Sequence, residues 1–218
     1  APSRNLTETE EAPALKGTGM SYLDIVDHTS LFEVLRAIDE EVAFRLRAET
    51  CWRPGCGGPL HWGRFKRKPR GGPIELPEHY NMRLGLCCGR CRKRVLPPSC
   101  LFLRRRVYWG AVVMLVTAAV QGLQKRSASE LCRHFGVSRR TVRRWVRYFE
   151  QVFPQGSQWQ ALRGRVAAVV RDDELPRSLL EWFSSTGRSA FDTVVRCLCF
   201  LADVTQQCGF LLEIRGIK

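Results

Sequence analysis

The stretch SASELCRHFGVSRRTVRRWVRYF, residues 127–149, decides how this chain is read. Ala128, Leu131, Cys132 and Phe135 recur at three- and four-residue steps, which places them on the inner face of a first short helix. Gly136 supplies a tight turn, and Val137 plugs the angle between two helices. Ser138 is a cap: its hydroxyl can accept from a free backbone N–H at the start of the next helix. In that second helix Val142, Trp145, Val146 and Phe149 point inward, while Arg139, Arg140, Arg143, Arg144 and Arg147 occupy the opposite face. The pattern predicts a helix-turn-helix. The N-terminal part of such a second helix enters the DNA major groove. Arginine suits that place, because its planar fork bonds guanine or phosphate with two N–H groups. Arg139, Arg140 and Arg143 are expected to reach base edges. Arg133, Arg144 and Arg147 are expected on phosphates, and Ser138 and Thr141 complete the expected contacts.

Upstream, residues 107–123 read as the supporting helix of this unit, burying Val112, Leu115, Ala119 and Leu123. The apolar run is short of the roughly 18 residues needed to cross a bilayer, so no membrane partner is expected. Further upstream lie two cysteine pairs, Cys51-x4-Cys56 and Cys88-x2-Cys91. A tetrahedral zinc site needs four ligands converging on one point, and two glycine-rich turns with two cysteines each supply that convergence. Cys51, Cys56, Cys88 and Cys91 are the expected ligands of a structural Zn²⁺. Cys87 and His61 are alternative ligands by position. The sequence carries no HExxH or similar catalytic zinc pattern. Between the pairs, residues 60–65 and 80–86 are strand candidates. The basic loop joining them holds Lys66, Arg67, Lys68 and Arg70. These four, with Arg92-Lys93-Arg94 and Arg104-Arg105-Arg106, are either solvated surface or phosphate contacts. The other cysteines, Cys100, Cys132, Cys197, Cys199 and Cys208, read as small apolar residues.

The charge distribution agrees with a polyanion partner. The 218-residue chain has a net charge of +14, and arginine outnumbers lysine, as GC-rich codon usage also produces. Composition bias does not explain position. Residues 51–150 hold 22 Lys and Arg against 4 Asp and Glu, which leaves an acidic excess elsewhere. A basic centre between acidic ends is the footprint of a nucleic-acid surface. Of ten cysteines four fall into paired metal-type spacings and the rest are scattered, behind an N-terminus without an apolar leader, which points to metal rather than disulfides.

The expected fold class is mainly α with a small β zinc ribbon. Residues 1–19 are expected to be disordered or tag-like. Residues 20–50 form an N-terminal helical segment, its helix starting at a capping box of Ser30 and Glu33. Residues 51–100 form the ribbon and 104–153 the helix-turn-helix domain. Residues 154–218 form a helical C-terminal region, with helices at 176–186 and 189–207 after a linker at 153–157. The acidic 30–50 helix and the 176–207 stretch are candidate surfaces for a partner or for homodimerisation.

The order zinc ribbon, basic linker, helix-turn-helix resembles the DNA-recognition region of bacterial insertion-sequence transposases and transposon-associated proteins. The resemblance spans residues 51–153 and is carried by ELCRHFGVSRRTVRRWVRYF. It implies binding to double-stranded DNA at transposon ends or a target site, beside a transposase or other recombination protein, in the bacterial cytoplasm on the nucleoid. Such transposases continue into a strand-rich nuclease domain with three catalytic carboxylates. After residue 153 this sequence reads as helical, and Asp172, Asp173, Glu174, Asp192 and Asp203 lack strand context. A solvated helix face is the expected setting of Asp192 and Asp203. The chain is therefore expected to be a non-enzymatic, sequence-specific DNA-binding accessory or regulator. The alternatives are the DNA-recognition part of a transposase whose catalytic domain lies elsewhere, and a ribbon-based protein- or RNA-interaction module.

Overall fold

Apolar residues at helical spacing build α1, Thr29–Ala48, after a short 3-10 turn at Asp24–Asp27. Its buried face is Leu31, Phe32, Val34, Leu35, Ile38, Val42 and Ala43. The capping box expected at Ser30 and Glu33 is not formed. The helix starts at Thr29 behind His28, with no side-chain cap bond, so Ser30 already lies inside the first turn. Residues 21–72, 76–103, 108–186 and 188–205 are described by the computed structural model. The expected disordered segment at 1–19, the Arg104-Arg105-Arg106 cluster and Cys208 lie outside them, whereas the helix expected at 189–207 ends early, at Leu201, where Asp203 takes a left-handed φ of 58°.

The β module follows α1. Strands β1 (Leu60–Trp62), β4 (Leu86–Cys88) and β5 (Arg94–Val95) form an antiparallel sheet in the order β1-β4-β5, with Leu60 opposite Cys88 and Trp62 opposite Leu86. A separate ladder pairs β2 (Phe65–Lys66) with β3 (Met82–Arg83). The strand expected at 60–65 thus breaks into two, and Tyr80 and Asn81 belong to a 3-10 turn. The module has its own small core of Cys51, Leu60, Leu86, Cys88 and Val95, against which Leu46 of α1 packs. The Arg47 guanidinium at the end of α1 lies 5.5 Å from the centre of the Trp62 ring.

The remaining elements are helical: α2 (Gly110–Ala118), α3 (Ala128–His134), α4 (Arg139–Arg147), α5 (Ser157–Arg163), α6 (Arg177–Ser184) and α7 (Ala190–Leu201). Every residue of α2 is buried, as its unbroken apolar run requires. No helix of the described residues is long and apolar enough to cross a membrane. Helix α5 begins at the end of the linker expected at 153–157, ahead of the two helices placed in this region from sequence, and Trp159 and Leu162 are its buried residues. One large core joins α1, α2, the helix-turn-helix and α5–α7, so the segments read separately in the sequence share their apolar interior. Within it α2 packs on both α4 and α7, and α1 packs on α7. Cys100, Cys197 and Cys199 are buried in this core, and Cys132 is partly buried against it.

Asp39 departs from an ordinary acidic helix face. It is buried, its carboxylate accepting from the Ser99 hydroxyl and, at 2.7 Å, from the Cys100 N–H. Arg83 lies 4.0 Å away and also donates to the Pro97 carbonyl. Burial pushes the Asp39 carboxyl up to about 6, although Ser99, Arg83, Cys100 and Arg36 oppose that shift. Its neighbours Glu40 and Glu41 pair along the helix with Arg36 and Arg45.

Candidate nucleic-acid interface and metal centre

Helix α3 is fixed at its start by a reciprocal cap. The Glu130 N–H donates to Ser127 Oγ at 3.2 Å, and the Ser127 N–H donates to the Glu130 carboxylate at 2.8 Å. That backbone bond holds the Glu130 carboxyl below its usual range. The Ser-x-x-Glu spacing is the sequence signal for this cap, and apolar periodicity alone passes over it. Leu131 and Phe135 are buried and Cys132 is half-buried. Ala128, expected on this inner face, is exposed; as the first helical residue it sits beyond the edge of the core. At its other end α3 is tied to the N-terminal turn by His134 Nε2, 3.0 Å from an Asp27 carboxylate oxygen.

The turn is built as the sequence predicts. Gly136 has φ +58°, a left-handed conformation that side chains with a Cβ resist. The Val137 N–H closes the turn on the Cys132 carbonyl at 3.0 Å, and the Val137 side chain is buried. Ser138 caps α4, its Oγ accepting from the Thr141 N–H at 3.2 Å. Val142, Trp145 and Phe149 are buried, and Val146 is half-buried. A π-helical turn, Tyr148–Val152, prolongs α4 into the core.

The outer face of α4 is arginine. Arg139, Arg140, Arg143, Arg144 and Arg147 are all exposed, as is Arg133 on α3. They are not equivalent. Arg139 donates to the Ser129 hydroxyl of α3, and Arg144 donates to Thr141 Oγ1 at 3.3 Å. Among the described residues, no carboxylate pairs with Arg133, Arg140, Arg143 or Arg147. Thr141 is buried and bonded to Ser138, while Ser138, which caps the helix, is exposed. The result is a capped, packed helix that holds unneutralised cations on one side.

Residues 117–151 match a family model described as a helix-turn-helix domain. The match runs from the end of α2 through α3 and α4 and supports a DNA-binding function for this segment. No curated protein and no solved structure matches the chain.

The expected basic loop divides in two. Lys66 pairs with Glu78 at 3.3 Å, and the half-buried Arg67 lies over the Phe65 ring. Lys68 and Arg70 are exposed. The end of the loop is docked on the helix-turn-helix. The Arg70 backbone forms an isolated parallel β-bridge with Tyr108, whose ring meets Trp145 of α4 edge-on at 4.9 Å. A Cβ at Gly71 would stand 3.0 Å from the Phe135 carbonyl oxygen and 3.3 Å from Val137 Cγ1, both in the turn between α3 and α4. No sequence signal announces this contact.

The cysteine pairs converge. The sulfurs of Cys51, Cys56, Cys88 and Cys91 all lie within 4.8 Å of one another. Cys51 and Cys91 are 3.9 Å apart, and Cys56 and Cys88 3.5 Å. Four sulfurs about 2.3 Å from a tetrahedral zinc stand about 3.8 Å from each other, so this donor set fits the metal. The Cys91 N–H donates to Cys88 Sγ at 3.4 Å, and such backbone bonds hold the Cys88 thiol down at about 6. At Cys51 the Arg53 N–H favours the thiolate, but burial and the three neighbouring sulfurs push the thiol up to about 11. Four crowded sulfurs cannot all ionise cheaply without a cation between them. Cys87 turns away, as strand alternation demands, with its sulfur 3.5 Å from the Arg92 carbonyl. His61 is exposed and outside the cluster.

The C-terminal acids are committed elsewhere. Asp172 pairs with Arg163, Glu174 with Arg171 and Arg177, and Asp203 with Arg165. Asp192 is not solvated as expected. It is fully buried at the start of α7, where it accepts from Arg188 and Arg196.

Proposed function

We propose that this chain is a sequence-specific double-stranded-DNA-binding accessory or regulatory protein of a mobile genetic element, with one structural zinc ion on Cys51, Cys56, Cys88 and Cys91. The observation that carries the reading is the outer face of α4, where Arg140, Arg143 and Arg147 stand exposed and unneutralised on a helix whose other face is locked into the core. Arg140 and Arg143, near the start of the helix, are the base-reading pair, and Arg133 and Arg147 bind phosphate. Arg139 and Arg144, tethered to Ser129 and Thr141, brace the helix and reach the backbone from there. The role is binding rather than catalysis, in keeping with carboxylates already paired to arginine. The mobile-element assignment rests on the order of cysteine module, basic loop and helix-turn-helix.

The test is a duplex selected from a random pool by the 218-residue chain, titrated by fluorescence anisotropy at fixed salt. Arg140→Ala with Arg143→Ala is expected to weaken binding at least tenfold and to flatten the preference for the selected sequence, since each bidentate base contact contributes about 1–3 kcal/mol of discrimination. Both side chains are exposed, so the thermal midpoint should not move. Unchanged affinity in the double variant refutes the assignment.

A further inference from the structure

Cations outside a recognition helix add phosphate contacts when the fold holds them near the same groove. Lys68 and Arg70 are exposed on a loop tied to the helix-turn-helix. The loop carrying Lys68 and Arg70 ends at Gly71, which is pressed against the Phe135 carbonyl and Val137 in the turn that launches α4. The Arg70 backbone is held by its bridge to Tyr108, and Tyr108 leans on Trp145 inside α4. At the other end the loop is anchored by β2, where Phe65 and Lys66 pair with Arg83 and Met82. Lys68 is three residues from Gly71, a span of at most about 10 Å of chain. The loop is therefore tethered at both ends, with its second tether on the helix-turn-helix itself. Lys66 and Arg67 are already engaged by Glu78 and Phe65, while Lys68 and Arg70 are exposed.

We infer that the 66–72 loop is a second DNA-contacting arm, and that Lys68 and Arg70 bind backbone phosphates flanking the groove entered by α4. This rests on the reading of α4 as the recognition helix. The arm adds affinity and fixes register; it reads no bases, because a cation on phosphate carries no sequence information. It also divides labour within the loop, Lys66 and Arg67 holding its shape and Lys68 and Arg70 meeting DNA.

The experiment measures affinity of the full chain for the selected duplex across a salt series. Each phosphate contact contributes about 0.9 to the slope of log affinity against log salt. Lys68→Ala with Arg70→Ala should lower that slope by about 1.8, so that between 50 and 200 mM salt the wild type loses about 12-fold more affinity than the variant. The ranking of mismatched duplexes should stay that of the wild type. A Lys66→Ala variant should change the slope by less than half a contact. An unchanged slope in Lys68→Ala with Arg70→Ala, alongside weakened binding by Arg140→Ala with Arg143→Ala, overturns the arm and leaves the recognition helix standing. Unchanged binding in both double variants overturns the recognition helix and the arm together. A changed mismatch ranking in the Lys68 and Arg70 variant overturns the phosphate assignment.

Discussion

Two glycines in the helix-turn-helix region share a left-handed backbone but differ in what surrounds them, and that difference sets a measurable order of stability. At Gly136, φ is +58° and an added Cβ meets nothing within 4 Å. Gly136→Ala therefore incurs only backbone strain, about 1–2 kcal/mol, offset by about 0.4–1 kcal/mol from a stiffer unfolded chain. The net loss is about 1 kcal/mol. Gly136→Asn should lose less, because asparagine tolerates this conformation. At Gly71, φ is +67° and the same Cβ would stand 3.0 Å from the Phe135 carbonyl oxygen. That atom is backbone in a hydrogen-bonded turn, so the loop or the turn must shift. Overpacking of this kind adds about 1–3 kcal/mol, and Gly71→Ala should lose about 2–4 kcal/mol locally. Urea unfolding followed by tryptophan fluorescence, with the buried Trp109 and Trp145 as reporters, should rank the Gly136→Asn variant above Gly136→Ala, and Gly136→Ala above Gly71→Ala. The Gly71 variant should also weaken DNA binding, since the proposed arm loses its seat. A Gly71→Ala protein as stable as Gly136→Ala would refute the docking of the loop on the turn.

Two other perturbations bear on the buried acid and the metal. Asp39 has a folded pKa of about 6 against an ordinary 3.8, so the folded state retains a proton that the unfolded chain releases between those values. Its contribution is therefore full below about pH 4 and lost as pH rises to about 6, a fall of about 3 kcal/mol in unfolding free energy that levels off above. Asp39→Asn should abolish that slope in urea titrations between pH 4 and 6.5, and an identical slope in the variant would contradict the burial argument. For the cysteines, metal analysis should find one zinc per chain. Cys56→Ser or Cys88→Ser should lower zinc affinity more than tenfold in a chelator competition, while Cys87→Ser should match the wild type. Equal loss on replacing Cys87 would reassign the ligand set.

What the sequence made legible was local. Turn, cap and inner face of the helix-turn-helix lie within 23 residues, and each device acts on neighbours in the chain. The cysteine pairs were legible because a tetrahedral site constrains spacing within each pair. The contacts that escaped are long-range. Asp39 looks like any surface acid of an amphipathic helix until Ser99 and Cys100 fold over it. Asp192 pairs with Arg188 and Arg196 only four residues away, but its burial comes with the packing of α7 against α1, α2 and α6. Gly71 reads as flexible loop, and only the packed turn makes it a point of close approach. Ala128 shows the reverse error, since periodicity assigned it to a face that the core does not extend far enough to cover. Helix α5 has only seven residues and no side-chain cap bond, and tertiary burial of Trp159 is what sustains it.

The single interior shared by α1, α2, α4 and α7 governs how this protein can be taken apart. The back of α4 rests on Phe149 and Phe153, and Phe153 packs against Trp159 of α5, which in turn meets Phe200 of α7. Gln121, just after α2, is bonded to the Leu175 carbonyl and to Arg177. A fragment trimmed to residues 104–153 would present those aromatic rings to water and invite aggregation. Helix α4 is a facet of the whole helical body rather than a detachable unit, so moving its arginine face elsewhere means transplanting outward-facing arginines, not excising the segment.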